Sequence, residues 1–274
     1  MLSTKEISVQ KLDLGKLVHT NDLLAIEEPL EIKLAVTDNG RAIIRTVSIT
    51  MRTPGNDREL AAGFLFTEGI IDSFQDIASI EIGFNSVTVN LVSASTVDLK
   101  KLERNFYTTS SCGVCGKTSI EAIQSISRYS GKIIGQKIPA AFFNRLPALL
   151  RKRQAVFQRT GALHASALFD TGGEILILME DVGRHNALDK LIGAALLQGI
   201  LPLYDQVLLL SGRISFELVQ KAAMAGIKVI AAIGAPSSLA LETAEAHDMT
   251  LTGFLREDRM NVYCGEARVD TLKF

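Results

Sequence analysis

The chain has 274 residues, 47% of them hydrophobic, which is enough to bury the core of one large domain or of two smaller ones. Its 29 Lys and Arg residues nearly balance its 30 Asp and Glu residues, which argues against nucleic acid as a partner. No apolar run is long enough to span a membrane, and Met1–Leu17 lacks the apolar block of a signal peptide. We therefore predict a cytoplasmic protein without a membrane partner.

The first part of the chain predicts strands and one helix. Glu31–Val36 and Ala42–Met51 are apolar or β-branched runs separated by an Asn-Gly turn, which indicates a hairpin. A helix is expected to start at Asp57 and to stop near Gly69. Ile77–Val92 is expected to hold two further strands.

A Gly-rich polar loop, Thr108–Lys117, interrupts this pattern and contains Cys112-Gly113-Val114-Cys115. Thr118 and Glu121 have the spacing of a capping box, so a helix should follow the loop. We predict a domain boundary here, with an N-terminal α+β domain at 1–117, ending in the loop 108–117, and an α/β domain at 118–274.

The second domain alternates apolar runs with helical patterns. The predicted order is β-β-α-β-α-β-α-β, which favours an α/β fold whose sheet is mixed and largely parallel, with both faces covered. The predicted elements are strands at Ala165–Phe169, Glu174–Met179, Gln206–Leu210, Lys228–Ile233 and Thr250–Leu255, and helices at Asn186–Leu197, Phe216–Ala225 and Leu239–Ala246.

The close cysteine pair carries the strongest chemical signal. Cys112 and Cys115 precede a predicted helix, lie beside Lys117 and have small neighbours, a setting that lowers a thiol pKa and leaves the sulfur accessible. A structural zinc site would need two more ligands, and the third cysteine, Cys264, is distant. A thioredoxin-like redox pair stays open, although that motif normally follows a strand. Two inert buried cysteines would fit poorly among so many Gly and Ser residues.

Polar residues gather at the predicted carboxyl ends of the second-domain strands, where open α/β sheets bind ligands. Arginines, serines and helix N-termini suit the phosphates of a dinucleotide, and Phe254 suits stacking on a base. The four segments are Gly183–Asn186, Ser211–Arg213, Ala235–Ser238 and Phe254–Arg259.

Several ordered blocks resemble the formate dehydrogenase accessory sulfurtransferase family (FdhD). They are Arg52–Asp57, Ser110–Lys117, Glu180–Ala187, Ser211–Glu217, Ala235–Ser238 and Gly253–Tyr263. The resemblance implies a sulfurtransferase that accepts sulfane sulfur from a cysteine desulfurase. The sulfur then passes to bis-molybdopterin guanine dinucleotide, the cofactor of the client formate dehydrogenase. It also implies a homodimer with a cytidine-deaminase-like domain.

The same resemblance assigns site residues. Cys112 maps to the persulfide cysteine, with Cys115 as its companion, and the segment Phe254, Leu255, Arg256, Glu257, Asp258 and Arg259 maps to the cofactor-binding segment. Glu257 and Asp258 stand where the family often has Pro-Gly. The remaining predicted cofactor contacts, from their places at strand ends, are His185, Arg213, Ser237 and Ser238.

Deamination is excluded because the zinc-binding motifs of deaminases are missing. His185-Asn186-Ala187 lacks the Glu of H-x-E, and Ser211–Ser215 contains no cysteine. We expect no metal ligands, and guanine nucleotides should act as partial mimics of the cofactor. Two alternatives to the sulfurtransferase remain, namely a cofactor chaperone that does not handle sulfur and a dithiol redox protein.

Overall fold

The computed structural model describes residues 3–38, 41–93, 129 and 137–271 of the chain. The N-terminal part consists of two small sheets and one α-helix. Its elements are β1 (Thr4–Asp13), β2 (Lys16–Ala25), β3 (Glu28–Asp38), β4 (Arg41–Arg52), α1 (Asp57–Thr67), a 3-10 turn at Phe74–Asp76, β5 (Ile77–Gly83) and β6 (Ser86–Leu91).

A four-stranded sheet in the order β4-β3-β6-β5 forms the centre of this part. Alternate residues of β3, from Leu30 to Val36, are buried, and Val87 and Val89 of the parallel neighbour β6 are buried beside them. This period of two gives the sheet one apolar face, which α1 covers with Leu60 and other apolar residues. The predicted strands and helix of this region are confirmed.

The strands β1 and β2 pair only with each other among the described strands, as an antiparallel hairpin. Most of their side chains are exposed on both faces. The sequence did not predict this hairpin, because a ribbon that buries neither face shows no hydrophobic alternation.

The C-terminal part adds eight strands and five α-helices to the described structure. They are β7 (Ile138–Pro139), α2 (Ala140–Arg153), α3 (Ala155–Thr160), β8 (His164–Phe169), β9 (Ile175–Asp181), α4 (Arg184–Leu197), β10 (Val207–Leu210), α5 (Phe216–Met224), β11 (Val229–Ala232), α6 (Ser238–Ala246), β12 (Thr250–Gly253), β13 (Asn261–Cys264), a 3-10 turn at Glu266–Arg268 and β14 (Val269–Asp270).

A six-stranded sheet in the order β13-β12-β11-β10-β8-β9 is the framework of this part. The sheet is mixed, as predicted, but the prediction that it is largely parallel is wrong. Only the pairs β10–β11 and β11–β12 are parallel, while β8 runs antiparallel to both of its neighbours and β13 runs antiparallel to β12. The connections from β8 to β9 and from β12 to β13 contain no helix, and neighbouring strands joined in this way are antiparallel.

Both faces of the central strands β10 and β11 are buried, which explains why these strands are uniformly apolar. Along β10, Val207 and Leu209 pack into the smaller core cluster with α2. Leu208 and Leu210 pack into the larger core cluster, which also contains residues of α4, α5 and the N-terminal sheet. The predicted boundary between residues 117 and 118 lies outside the described residues, so the domain division stays a prediction.

The helices α1 and α4 join the two parts of the molecule at a close crossing. Gly63 of α1 and Gly193 of α4 lie at the contact, where a Cβ on Gly63 would overlap the main-chain carbonyl of Asp189. A Cβ on Gly193 would overlap the carbonyl of Glu59 in the same way. The glycines are therefore required by the distance between two backbones rather than by their own φ angles.

Candidate functional site

A cleft opens at one edge of the six-stranded sheet. The strands β9, β10, β11 and β12 all end at this edge, and the antiparallel β8 begins there with His164. The cleft has a volume of about 950 Å³, which is within the range of small-molecule sites. One wall comes from α2, α3 and the loop that leads to β8, and the other comes from the segment Leu255–Arg259.

The segment Phe254–Arg259 is held in place by its own turn and by the sheet. The main-chain N–H of Arg256 donates to the carbonyl of Arg259 at 2.8 Å. The guanidinium of Arg256 donates to the carbonyls of Ile233 and Leu255 at 3.0 and 2.7 Å. Arg256 is thus anchored at the rim of the cleft, where it still presents positive charge.

Phe254 lies just outside the cleft and is 45% exposed, with a left-handed φ of 51°. Together with Arg256, Arg259 and Asn261 it lines a smaller pocket of about 220 Å³. Glu257 and Asp258 are exposed and are among the residues that line the large cleft, so their predicted place near the cofactor stays a prediction.

The other predicted contacts lie at the same sheet edge but are not among the residues that line the large cleft. Arg213 is exposed, and Ser237 and Ser238 start α6, where the Ser237 hydroxyl accepts a hydrogen bond from the main-chain N–H of Ala240 at 3.2 Å. Ser237 therefore has a helix-capping role within the described structure.

His185 forms a separate polar cluster with α5. Its Nε2 lies 3.3 Å from the hydroxyl of Ser215 and 3.7 Å from a carboxylate oxygen of Glu217. The interaction with His185, helped by Ser215 and opposed by partial burial, lowers the pKa of Glu217 to about 2. This carboxylate stays charged at any physiological pH.

His164 does line the cleft, between the α3 loop and Ser211. Partial burial, together with the positive charge of Arg184 and to a smaller degree that of Arg213, lowers the pKa of His164. The imidazole is therefore neutral at pH 7 and can either donate or accept a hydrogen bond toward a ligand.

Of the three cysteines, the structure describes only Cys264. Cys112 and Cys115 lie outside the described residues, so their predicted roles stay predictions. Cys264 is buried, donates through its thiol to the carbonyl of Met249 at 3.4 Å, and has its pKa raised by burial. A protonated buried thiol is a poor nucleophile, so Cys264 is not a candidate sulfur acceptor.

Two of the motifs found in the sequence stabilise the fold around this edge. Asp181 at the end of β9 accepts hydrogen bonds from the main chain of Thr53 and from Asn186, and its carboxylate lies 2.7 Å from the ammonium of Lys190. Lys190 also donates to the carbonyl of Thr53 at 2.9 Å. The Arg52–Asp57 block is thereby fixed to the end of β9 and the start of α4.

Sequence reasoning missed the wall of the cleft that α2 and α3 supply. No element was predicted between residues 137 and 160, although Phe142, Leu146 and Leu150 repeat at helical spacing and are buried. Arg151, Gln154 and Phe157 from this wall line the cleft. The helical repeat was the signal that could have located α2.

Neither a metal site nor a membrane span is found in the described part of the chain. No group of three or more His, Cys, Asp or Glu residues there is arranged to hold a metal ion. None of the described helices is long and apolar enough to cross a membrane.

Comparison with known proteins finds one family along almost the whole chain. Residues 26–270 match the model of the FdhD/NarQ family. The sulfur carrier protein FdhD of Mycolicibacterium paratuberculosis is 50% identical, covering 98% of this chain and all of the relative. The protein of the same name from Sulfurisphaera tokodaii is 41% identical, with equal coverage.

A solved structure shows the same fold. The crystal structure of a putative formate dehydrogenase accessory protein from Desulfotalea psychrophila superposes with a TM-score of 0.75. It is 24% identical in sequence, and the match covers 98% of this chain and all of that chain. The arrangement of sheets described above is thus found in an experimentally determined protein.

Proposed function

This chain belongs to the FdhD/NarQ family, and from that premise we propose that it is a sulfur carrier for the maturation of a formate dehydrogenase. The observation that carries the proposal is the 50% identity, over nearly the whole chain, to a protein named sulfur carrier protein FdhD. The Gly-rich Cys112–Cys115 loop supplies a chemically suitable sulfur acceptor.

Sulfur loading is a thiol exchange on Cys112. Its thiolate attacks the terminal sulfur of a persulfide on a cysteine desulfurase, and a new S–S bond forms at Cys112 Sγ. The bond between that sulfur and the donor cysteine breaks, and the donor leaves as a thiolate. One sulfur atom has moved, and no net oxidation or reduction has occurred.

Cys115 has a role in releasing the sulfur. Attack of its thiolate on Cys112 Sγ forms a Cys112–Cys115 disulfide and expels the terminal sulfur as sulfide. The two cysteines supply both electrons that turn sulfane sulfur into sulfide, so delivery needs no further reductant at that moment. The disulfide must then be reduced before the next cycle.

The acceptor of the sulfur is bis-molybdopterin guanine dinucleotide, held as a substrate in the cleft at the sheet edge. Arg151, Arg256 and Arg259 line the cleft and can bind the phosphate groups, and Phe157 and Phe254 offer aromatic faces in and beside it. The volume of about 950 Å³ suits a nucleotide half of this molecule. His185, Arg213, Ser237 and Ser238 at the same edge remain candidate contacts for the rest.

The proposed partners follow from this reaction. They are a cysteine desulfurase as the donor and a formate dehydrogenase as the client, and both interactions are expected in the cytoplasm. A homodimer is expected from the family resemblance. A cofactor chaperone that never carries sulfur is the second candidate, since the cleft alone would serve it equally well.

Intact-protein mass spectrometry tests the sulfur-carrier proposal. The full chain is incubated with a cysteine desulfurase and cysteine, and the wild type is compared with Cys112→Ala, Cys115→Ala and Cys264→Ser. We expect a reductant-sensitive gain of one sulfur atom in the wild type, in Cys115→Ala and in Cys264→Ser, and none in Cys112→Ala.

The other outcomes separate the alternatives. A mass loss of two hydrogens under mild oxidant, without sulfur gain, would support the dithiol redox protein. If neither change is seen while guanine nucleotides still bind, the chaperone becomes the better account.

A further inference from the structure

The wall of the cleft contains a buried side-chain amide nitrogen without a hydrogen-bond partner in the described part of the chain. Gln154 is only 4% exposed and lines the cleft, and its side-chain amide nitrogen makes no hydrogen bond within the described structure. Buried N–H groups are nearly always paired, because an unmade hydrogen bond away from water is costly. A ligand in the cleft would supply the missing acceptor.

The position of Gln154 is fixed by the elements around it. It stands between α2 and α3, with its main-chain N–H donating to Leu150 at 3.1 Å and its carbonyl accepting from Gln158 at 3.0 Å. The carboxylate of Glu180 accepts two hydrogen bonds from main-chain N–H groups in the first turn of α3, at 3.1 and 2.9 Å. These hydrogen bonds fix the backbone between α2 and α3 and thereby the position of the Gln154 side chain.

The opposite wall carries hydrogen-bond acceptors. Glu257 and Asp258 line the same cleft, and ionised carboxylates only accept hydrogen bonds. Carboxylates repel phosphate, so this part of the cleft suits a neutral ring. A ring that offers a carbonyl to Gln154 and N–H groups to the carboxylates is a 2-amino-4-oxo pyrimidine ring, the hydrogen-bonding edge that guanine and pterins share.

We propose that Gln154 is a specificity-determining residue that donates from its side-chain amide to the ring carbonyl of such a base. Glu257 and Asp258 accept from the ring N–H and the amino group. The inference rests on the proposed function, since it assumes that the cleft holds the cofactor. It adds the side chain that distinguishes guanine or pterin from adenine. Adenine has an amino group in place of the carbonyl. This amino group is a hydrogen-bond donor and would face the donor N–H of Gln154.

Calorimetric titration of the full chain with GDP, IDP and ADP tests this role. The wild type should bind GDP more tightly than ADP. Gln154→Leu should weaken GDP roughly tenfold or more, as expected for the loss of one buried hydrogen bond. IDP, which keeps the carbonyl and lacks the amino group, should lose the same factor, while ADP changes little.

Two further variants keep the test interpretable. Gln154→Glu replaces the donor with a charged acceptor and should weaken GDP at least as much as Gln154→Leu does. Gln198→Leu changes an exposed glutamine at the C-terminal end of α4 that is not among the residues lining the cleft, and it should leave all three affinities unchanged. Unchanged ADP affinity in the Gln154 variants shows that the cleft itself is intact.

Neopterin has the same hydrogen-bonding ring edge but is not a guanine nucleotide. Titration with neopterin therefore shows whether Gln154 recognises the guanine or the pterin of the cofactor. A loss of neopterin affinity in Gln154→Leu with constant GDP affinity would assign the residue to the pterin. Equal affinities of wild type and Gln154→Leu for both GDP and neopterin would overturn the inference and leave the cofactor site standing. If the wild type binds none of the probes, the proposed site and this inference fall together.

Discussion

At the scale of single residues, the most recognisable motif of the N-terminal part is structural. The Arg52 side chain is fully buried and donates to both carboxylate oxygens of Asp57, at 2.9 and 3.1 Å, and to the side-chain oxygen of Asn85 at 3.2 Å. A buried guanidinium persists only with such charged partners. The motif thus fixes the start of α1 and lies at a distance in sequence from the predicted chemistry.

Glu217 gives a residue-scale prediction about pH. Because its pKa is about 2 in the folded chain against an ordinary 4.5, the charged form stabilises the fold above pH 4.5, and this stabilisation is lost as the pH falls toward 2. Glu217→Gln should cost about 1–2 kcal/mol near neutral pH, a figure reduced for partial solvent screening. Urea unfolding of both proteins should show the gap closing below pH 4.5. A gap that stays constant with pH would contradict this assignment.

At the scale of elements, local patterns predicted most strands and helices, and the failures have physical causes. The helices α4, α5 and α6 and the strands between them were predicted because each has enough apolar residues at the right period. The antiparallel direction of β8 was missed because burial on both faces looks the same in either direction, and the short, largely exposed strand β13 was not predicted at all. The α2 helix was not predicted, and Pro147 interrupts the helical pattern inside it.

The same limits apply to the candidate site. The sequence placed Phe254–Arg259 at a strand end, since charged residues follow directly after the predicted strand Thr250–Leu255. Gln154 carried no local signal, because its burial depends on how α2 and α3 pack beside the sheet edge. The sequence could therefore predict only the wall of the cleft that follows β12. The wall formed by α2 and α3 could not be placed beside it.

Gly63→Ala gives the element-scale prediction. Alanine favours a helix by about 1 kcal/mol over glycine, but its Cβ would meet the backbone of α4, which cannot move like a side chain. Steric overlap should dominate and destabilise the protein by about 1–3 kcal/mol. Thermal unfolding should show this loss for Gly63→Ala, whereas Arg58→Ala on the exposed side of α1 stays within about 0.5 kcal/mol of wild type. A stabilised Gly63→Ala would mean that the two helices are not in close contact.

At the scale of the whole molecule, a buried charge cluster joins the N-terminal part to the C-terminal sheet. The Lys221 ammonium of α5 lies 3.0 Å from the Asp189 carboxylate of α4, and it donates to the Thr67 hydroxyl at 2.8 Å and to Glu68 at 3.3 Å. Burial alone would lower the pKa of Lys221, but the two carboxylates outweigh it and raise the pKa. The ion pair of Lys221 with Asp189 thus links α5 to α4, and the hydrogen bond to Thr67 links both to α1.

A double-mutant cycle tests this cluster. Lys221→Met leaves Asp189 buried without its cation and should cost about 3–5 kcal/mol of unfolding free energy. The double variant Lys221→Met with Asp189→Leu removes both charges and should recover most of that loss. Strictly additive losses in urea unfolding would show that the two side chains do not interact.

The most direct test of the central claim, that this protein delivers sulfur from Cys112, is formate dehydrogenase activity in cells that lack their own accessory protein. Wild type and Cys264→Ser should restore activity, because Cys264 is a buried thiol outside the proposed reaction. Cys112→Ala, made to the same protein level and still able to bind guanine nucleotide, should restore none. Full activity with Cys112→Ala would contradict the account, since the protein would then act without carrying sulfur on that cysteine.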